Sequence, residues 1–289
     1  MLLQQLVNGL MLGASYALIA VAFALILGIF DMLNIAIGEV FMLGAFFGLT
    51  LVNLGLPFPA ALLVAMLLAG LVNLVIERFA FRPLRGTPPV IPLLSSIGFS
   101  MLLQDAATNI WGAERTQFPP SVRALSFEIG PVLLSSVQMV ILGTAVALMV
   151  VLQFVLQRTA IGRGMRAVAE SPETAGILGV DAGRVLVATF FASGALAGAA
   201  GMLVGLTFSV ISPFIGIEIG LKGVAAMVVG GAGNIQGAML AGPLLGVAEV
   251  LSVAYLGAAH RDVVVYGLLI LVLVVRPAGL LGTVERARL

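Results

Sequence analysis

From about residue 6 to residue 281 the chain is a succession of apolar runs separated by short polar or proline-containing breaks. A helix needs about 20 apolar residues to cross a hydrocarbon layer roughly 30 Å thick, and most of these runs have that length. Backbone amides in lipid must bond inside their own segment, so such runs fold as helices. Charged residues make up 9% of the sequence, against roughly 25% in soluble domains, too few to cover a water-facing surface. The 289 residues leave room for about eight or nine spans. The expected fold is an all-α polytopic membrane protein, some of its helices short or broken, forming a single transmembrane domain over 1–289.

The breaks predict spans over 6–30, from the polar stretch 31–39 to about 53, and over 60–79, 91–110, 132–156 and 186–210. A short run over 219–230 follows, then spans over 236–256 and 263–281. Small residues recur four apart at Gly9/Gly13, Gly44/Gly48, Gly194/Gly198, Ala197/Gly201/Gly205 and Ala238/Gly242/Gly246. That spacing lets two helices touch backbones, a packing device. The opening MLLQQL lacks the positive region of a cleavable signal, so the first span is expected to stay. The short run must begin as early as Phe214 or join non-helical backbone, which survives in a membrane only where protein or water satisfies its amides.

Ten of the 14 Lys and Arg residues fall in three segments, 78–85, 158–184 and 276–288. An excess of such cations marks cytoplasmic loops. The segment 111–130 then lies outside, and counting spans places the N-terminus outside and the C-terminus in the cytoplasm. The longest polar interruption is 158–185. Within it, 170–178 reads as a short surface helix: Ser171 suits the cap, Pro172 the first helical position and Glu173 the first turn. Composition leaves two roles open for it, a knob for a soluble partner or an ordinary connection at lipid headgroups.

Chemistry-bearing groups are sparse. There is no cysteine, hence no disulfide and no thiolate metal site, and a net charge of +1 does not suit a nucleic-acid role. The single histidine, His260, sits in a polar turn, and no phosphate-cradling GxxxxGK[ST] motif occurs, so catalytic, metal and cofactor sites are not expected on this chain. Ionisable groups inside the spans are the better signal, since each costs a few kcal/mol at the bilayer centre. Glu39, one turn beyond Asn34 and beside Gly38, coincides with the first break. Asp105 shares a helix face with Asn109, and Glu249 lies mid-span. A sequence echo links 34–44 with 234–240, adding Asn234 and Gln236, and paired breaks in two halves point to a midplane route. The candidates for a translocation path are therefore Asn34, Gly38, Glu39, Asp105, Asn234, Gln236 and Glu249, with inter-helix hydrogen bonding as the structural alternative. Glu77, Lys222 and Glu218 are expected near the interfaces, where they snorkel.

Four stretches taken together resemble a known family: GLMLGASYALIAVAFALILGIFDMLNIAIGEVFMLGAF, ERFAFRPLRG, GRGMRAVAESPETAGILGVDAGRV and VVGGAGNIQGAMLAGPLLG. In that order they are similar to the LivH-type membrane permease of branched-chain amino acid ABC importers, over nearly the whole chain. The resemblance implies a bacterial or archaeal inner-membrane subunit working with a second related permease, two ABC ATPase subunits and a substrate-binding protein outside. It implies that 158–185 carries a coupling helix, with Arg166, Glu170, Ser171, Pro172, Glu173, Thr174, Ala175, Gly176 and Gly179 at the ATPase. Importer coupling loops carry an EAA-x3-G pattern; here Thr174 replaces the middle alanine, and the hydrophobic ending is missing at Thr189. The substrates implied are leucine, isoleucine and valine. Urea, amides or other amino acids are the alternatives within this class, and an ion-coupled secondary transporter is the alternative outside it.

Overall fold

The chain is organised around its first helix, α1 (Leu2–Phe30). At 1.5 Å per residue its 29 residues extend about 43 Å. A helix apolar on every side is suited to a protein interior, and nearly every side chain from Met11 to Ile26 is buried. The computed structural model describes residues 2–120, 122, 126–129 and 132–282. Arg123, Arg286 and Arg288, used above for the charge count, lie outside the described residues.

Around α1 stand α2 (Ile37–Asn53), α3 (Phe58–Ile76), α4 (Val90–Trp111), α5 (Ser136–Arg158), α8 (Ala182–Phe208), α9 (Ile215–Gly230), α10 (Ile235–Leu256) and α11 (Arg261–Val275). Two helices between α5 and α8 are short and polar, α6 (Ala160–Glu170) and α7 (Pro172–Ile177). Among the described residues, seven helical segments are long and apolar enough to cross a membrane. The other two apolar helices, α2 with 17 residues and α9 with 16, are shorter. α4, α5 and α11 turn large apolar side chains outward, among them Met101, Phe154 and Val274.

Two glycine seams set the packing. On the first, Gly9 and Gly13 of α1 lie against Val247 and Pro243 of α10, and Gly242 and Gly246 return the contact onto Ala17, Gly13 and Gly9. A β-carbon at Gly9 would stand 2.6 Å from the Val247 Cα, so backbones touch as small-residue spacing allows. On the second, Gly44 of α2 meets Gly198 of α8, Gly201 meets the Phe41 carbonyl, and Gly194 meets Asn73 and Ala69 of α3.

The two ends of the bundle differ. At one end lie two small antiparallel pairs: β1 (Thr116–Gln117) with β4 (Val210–Ile211), and β2 (Ser126–Ile129) with β3 (Val132–Ser135). The start of α1 is tied there, since Gln4 Nε2 donates to the Leu133 carbonyl at 2.9 Å and Gln138 Nε2 to Asn8 Oδ1 at 3.1 Å. The fifth span was expected to begin at 132. Instead, 132–135 pairs as a strand, and Ser135 starts the helix four residues later by accepting from Val137 N while Gln138 accepts from Ser135 N, a capping box.

The opposite end carries α6, α7 and all three basic segments as far as they are described. Arg82, Arg85, Asp181 and Arg184 line one cleft, and Val168, Pro172 and Pro277 line another. α6 had no counterpart in the sequence reading. It is strongly two-faced, burying Met165 and Val168 while exposing Arg163 and Arg166. The last span was expected to reach 281. It stops at Val275, because Pro277 disfavours helical geometry at Arg276, whose ψ is 84°. Leu280 and Leu281 then donate back to the carbonyls of Val229 and Gly230 at 2.8 and 2.9 Å.

Candidate functional site

The break between α1 and α2 is sealed by side chains of α3 and α4, the first of them held by a backbone carbonyl of α8. Asn34 is buried; its Oδ1 accepts from Ala36 N at 3.1 Å and its Nδ2 donates to Asn73 Oδ1 of α3 at 3.2 Å. Asn73 Nδ2 in turn donates to the Phe190 carbonyl of α8 at 2.7 Å, and Ile35 N donates to Ser96 Oγ of α4 at 3.1 Å. Freed backbone groups at membrane depth need such partners. Phe190 lies eight residues into α8, so the break sits about 12 Å inside the helix end. α2 thus begins within the bundle, not at its surface.

Glu39 occupies the first turn of α2 and is 1% exposed. Its Oε1 accepts from Ser100 Oγ of α4 at 3.4 Å, and its Oε2 has no hydrogen-bond partner among the described residues. Gly38 packs on Gly216 and Gly220, and a β-carbon at Gly216 would stand 2.5 Å from Glu39 Oε2. Gly216 is in the first turn of α9. The starts of α2 and α9 therefore meet inside the bundle with one carboxylate between them, the charge that two positive helix ends favour.

A second polar cluster joins α9, α10 and α11. Lys222 Nζ reaches Glu249 Oε1 at 2.8 Å and Asp262 Oδ1 at 3.0 Å, and Arg261 Nε reaches Glu249 Oε1 at 3.0 Å. Lys222 and Glu249 are 3% and 1% exposed. Their desolvation is offset by mutual attraction and by the flanking Arg261 and Asp262. Lys222 was expected to snorkel to an interface; it is instead held in the interior, 5.9 Å from the centre of the Tyr16 ring. Glu77 is likewise buried, paired with Arg85 at 2.8 Å. Glu218 is exposed near the start of α9.

The structure gathers Asn34, Gly38 and Glu39 into one site and places Glu249 in the other, across α9. Asp105 is exposed on α4 and bonded to Asn109 at 3.2 Å. Gln236 is exposed at the start of α10, and Asn234 caps that helix, accepting from Gly237 N at 2.9 Å and donating to the Leu281 carbonyl at 2.7 Å. The echoing segments at 34 and 234 therefore bond to different neighbours, and the start that meets α2 belongs to α9. Asn73, Ser96 and Ser100 were missed, although each is a polar residue inside an apolar run. Among the described residues no cluster of three or more metal-ligating side chains occurs.

At the basic end, Ser171 caps α7 as expected: its Oγ accepts from Thr174 N at 3.3 Å, and Pro172 opens the helix. Arg166 of α6 donates to the Leu156 carbonyl at the end of α5. Ala175 is buried, anchoring α7, while Glu170, Pro172, Glu173, Thr174 and Gly176 face outward. Beyond them Ile177 and Leu178 are 86% and 75% exposed, and Gly179 turns the chain back with φ +83°. An apolar tip rimmed by charge thus projects from the bundle.

Sequence comparison assigns the whole chain to a family. The model of a family described as the permease component of branched-chain amino acid transport systems matches residues 5–273. The chain is 39% identical to the high-affinity branched-chain amino acid transport system permease protein BraD of Pseudomonas aeruginosa, over 98% of this chain and 96% of that one. It is 37% identical to the corresponding LivH protein of Escherichia coli K12 over the same shares of the two chains. An archaeal relative, a probable branched-chain amino acid transport permease protein LivH of Methanocaldococcus jannaschii, is 28% identical over 86% of this chain and 82% of its own. A helical bundle with seven candidate spans, matched over nearly its whole length, belongs to the permease family of branched-chain amino acid transport systems.

Proposed function

We propose that this chain is the permease subunit of an ATP-driven importer for leucine, isoleucine and valine in an inner membrane. It pairs with a second related permease, two ABC ATPase subunits and an external substrate-binding protein, and ATP is handled by the ATPases alone. The similarity to two high-affinity branched-chain permeases over 98% of the chain carries this reading. The α6–α7 end faces the cytoplasm, which the clustering of cations there supports; the start of α1 and the strand pairs face outside.

In this reading α7 is the coupling helix. Glu173, Ile177 and Leu178 offer a mixed apolar and charged tip of the kind a groove in a soluble partner accepts, and Ala175 and the Arg166 contact hold that tip rigidly to α5 and α8. Closure of two ATPase subunits then tilts the spans and exposes the path to alternate sides. The path runs beside the α2–α9 junction, with Asn34, Gly38 and Glu39 on this chain.

Glu173→Arg, or deletion of 170–176, tests the coupling role. The expected outcome is that the ATPase subunits no longer co-purify and leucine uptake falls to background; co-purification with unchanged uptake overturns it. Leucine transport by the purified chain alone, driven by a proton gradient in proteoliposomes, would replace the importer reading with a secondary transporter.

A further inference from the structure

At the strand-bearing end a cavity of about 360 Å³ opens between the end of α8, β4, the start of α9 and the segment after α4. Small-ligand pockets run from about 300 to 1,000 Å³, so this one suits a single small solute and not a peptide. Its wall has two parts. Phe208, Val210, Ile211, Ile215 and Ile219 form an apolar side, and Arg115, Glu218 and Arg261 bring charge of both signs.

The charges differ in how far they are already committed. Arg115 and Glu218 are exposed, and neither forms an ion pair among the described residues. Arg261 faces the cavity and also reaches Glu249 at 3.0 Å, so it joins the cavity wall to the buried cluster that ties α9, α10 and α11 together. Tyr16, fully buried in the central helix, lines the same cavity and carries Lys222 5.9 Å from its ring centre. A free cation and a free anion beside an aliphatic wall match a zwitterion with an apolar side chain. A neutral polar solute would leave both charges unanswered.

We propose that this cavity is a docking site for a free α-amino acid with an aliphatic side chain. Arg115 and Arg261 hold the α-carboxylate, Glu218 holds the α-ammonium, and Phe208, Ile215 and Ile219 contact the side chain. The carboxylate competes with Glu249 for Arg261, so an occupied site loosens the link between α10 and α11. This site rests on the importer reading above and deepens it, since that reading assigns no substrate contact at this end.

The test uses the complete complex of both permeases, the ATPases and the binding protein in liposomes. A diazirine analogue of leucine is photolysed in it and the labelled peptide identified. Label on 208–219, removed by excess leucine, is expected. Glu218→Gln and Arg115→Gln are each expected to lower uptake at sub-saturating leucine about ten-fold, as loss of about 1.4 kcal/mol of binding would, while ATP hydrolysis stimulated by the binding protein persists. Label elsewhere, or unchanged uptake in both variants of a complex that does import leucine, overturns the cavity assignment alone. Absence of leucine uptake by the unmodified complex overturns the importer reading together with it.

Discussion

Gly216 leaves the room that the Glu39 carboxylate occupies: a β-carbon on that glycine would stand 2.5 Å from Glu39 Oε2 and 2.8 Å from the Gly38 carbonyl oxygen. The relationship joins two helix starts 177 residues apart in the chain, both inside the bundle. A glycine is needed there because neither backbone can retreat; Gly38 is itself pressed against Gly220.

Gly216→Ala is accordingly expected to destabilise the protein by about 1–3 kcal/mol, the usual cost of overfilling a packed interior. Adding Glu39→Ala removes the obstructing carboxylate, so the double variant should melt higher than Gly216→Ala alone in detergent. Equal melting temperatures for the two would show that Glu39 does not fill that space.

The Lys222–Glu249 pair predicts a different pattern. Lys222→Met leaves Glu249 buried with Arg261 as its remaining cation, and breaking a buried pair costs about 3–5 kcal/mol. Lys222→Met with Glu249→Met removes both buried charges, and most of the loss should be regained. The four melting temperatures of this cycle check it: additive losses would mean that the two residues do not act as a pair.

Glycines on the seams should behave unlike glycines on the outer helices. Gly246 packs on the backbones of Gly9 and Gly13, whereas nothing lies within 4 Å of a β-carbon built at Gly98 or Gly143. Gly246→Ala should therefore cut the yield of folded protein. Gly98→Ala and Gly143→Ala should be neutral or add about 0.4–1 kcal/mol, since alanine is the better helix former and narrows the unfolded ensemble. Size-exclusion profiles and melting curves of the three variants decide this.

Much of the scaffold is local and was legible in the chain. Ser171, Pro172 and Glu173 announce α7 because a cap, a first-position proline and a first-turn acid act on their own backbone. Asn34 announces the break before α2 for a similar reason, its side chain bonding an amide two residues on. The strand at Val132–Ser135 was not legible, because a short apolar run fits a strand or a helix equally and only its partner Ser126–Ile129 selects between them.

The order of residues alone thus carries the membrane-length helices, their breaks, their close-packing glycine spacing, the basic segments that mark one end, and the resemblance to a permease family. Packing of the assembled helices is what makes α1 central, brings α9 and not α10 to the start of α2, and sets Lys222 against Glu249. The difference comes from rotation about the helix axis. A helix apolar on every side satisfies lipid or protein equally well in any orientation, so its partners are chosen by where glycines let backbones touch and where buried charges find each other. Those choices appear only when all the helices are assembled.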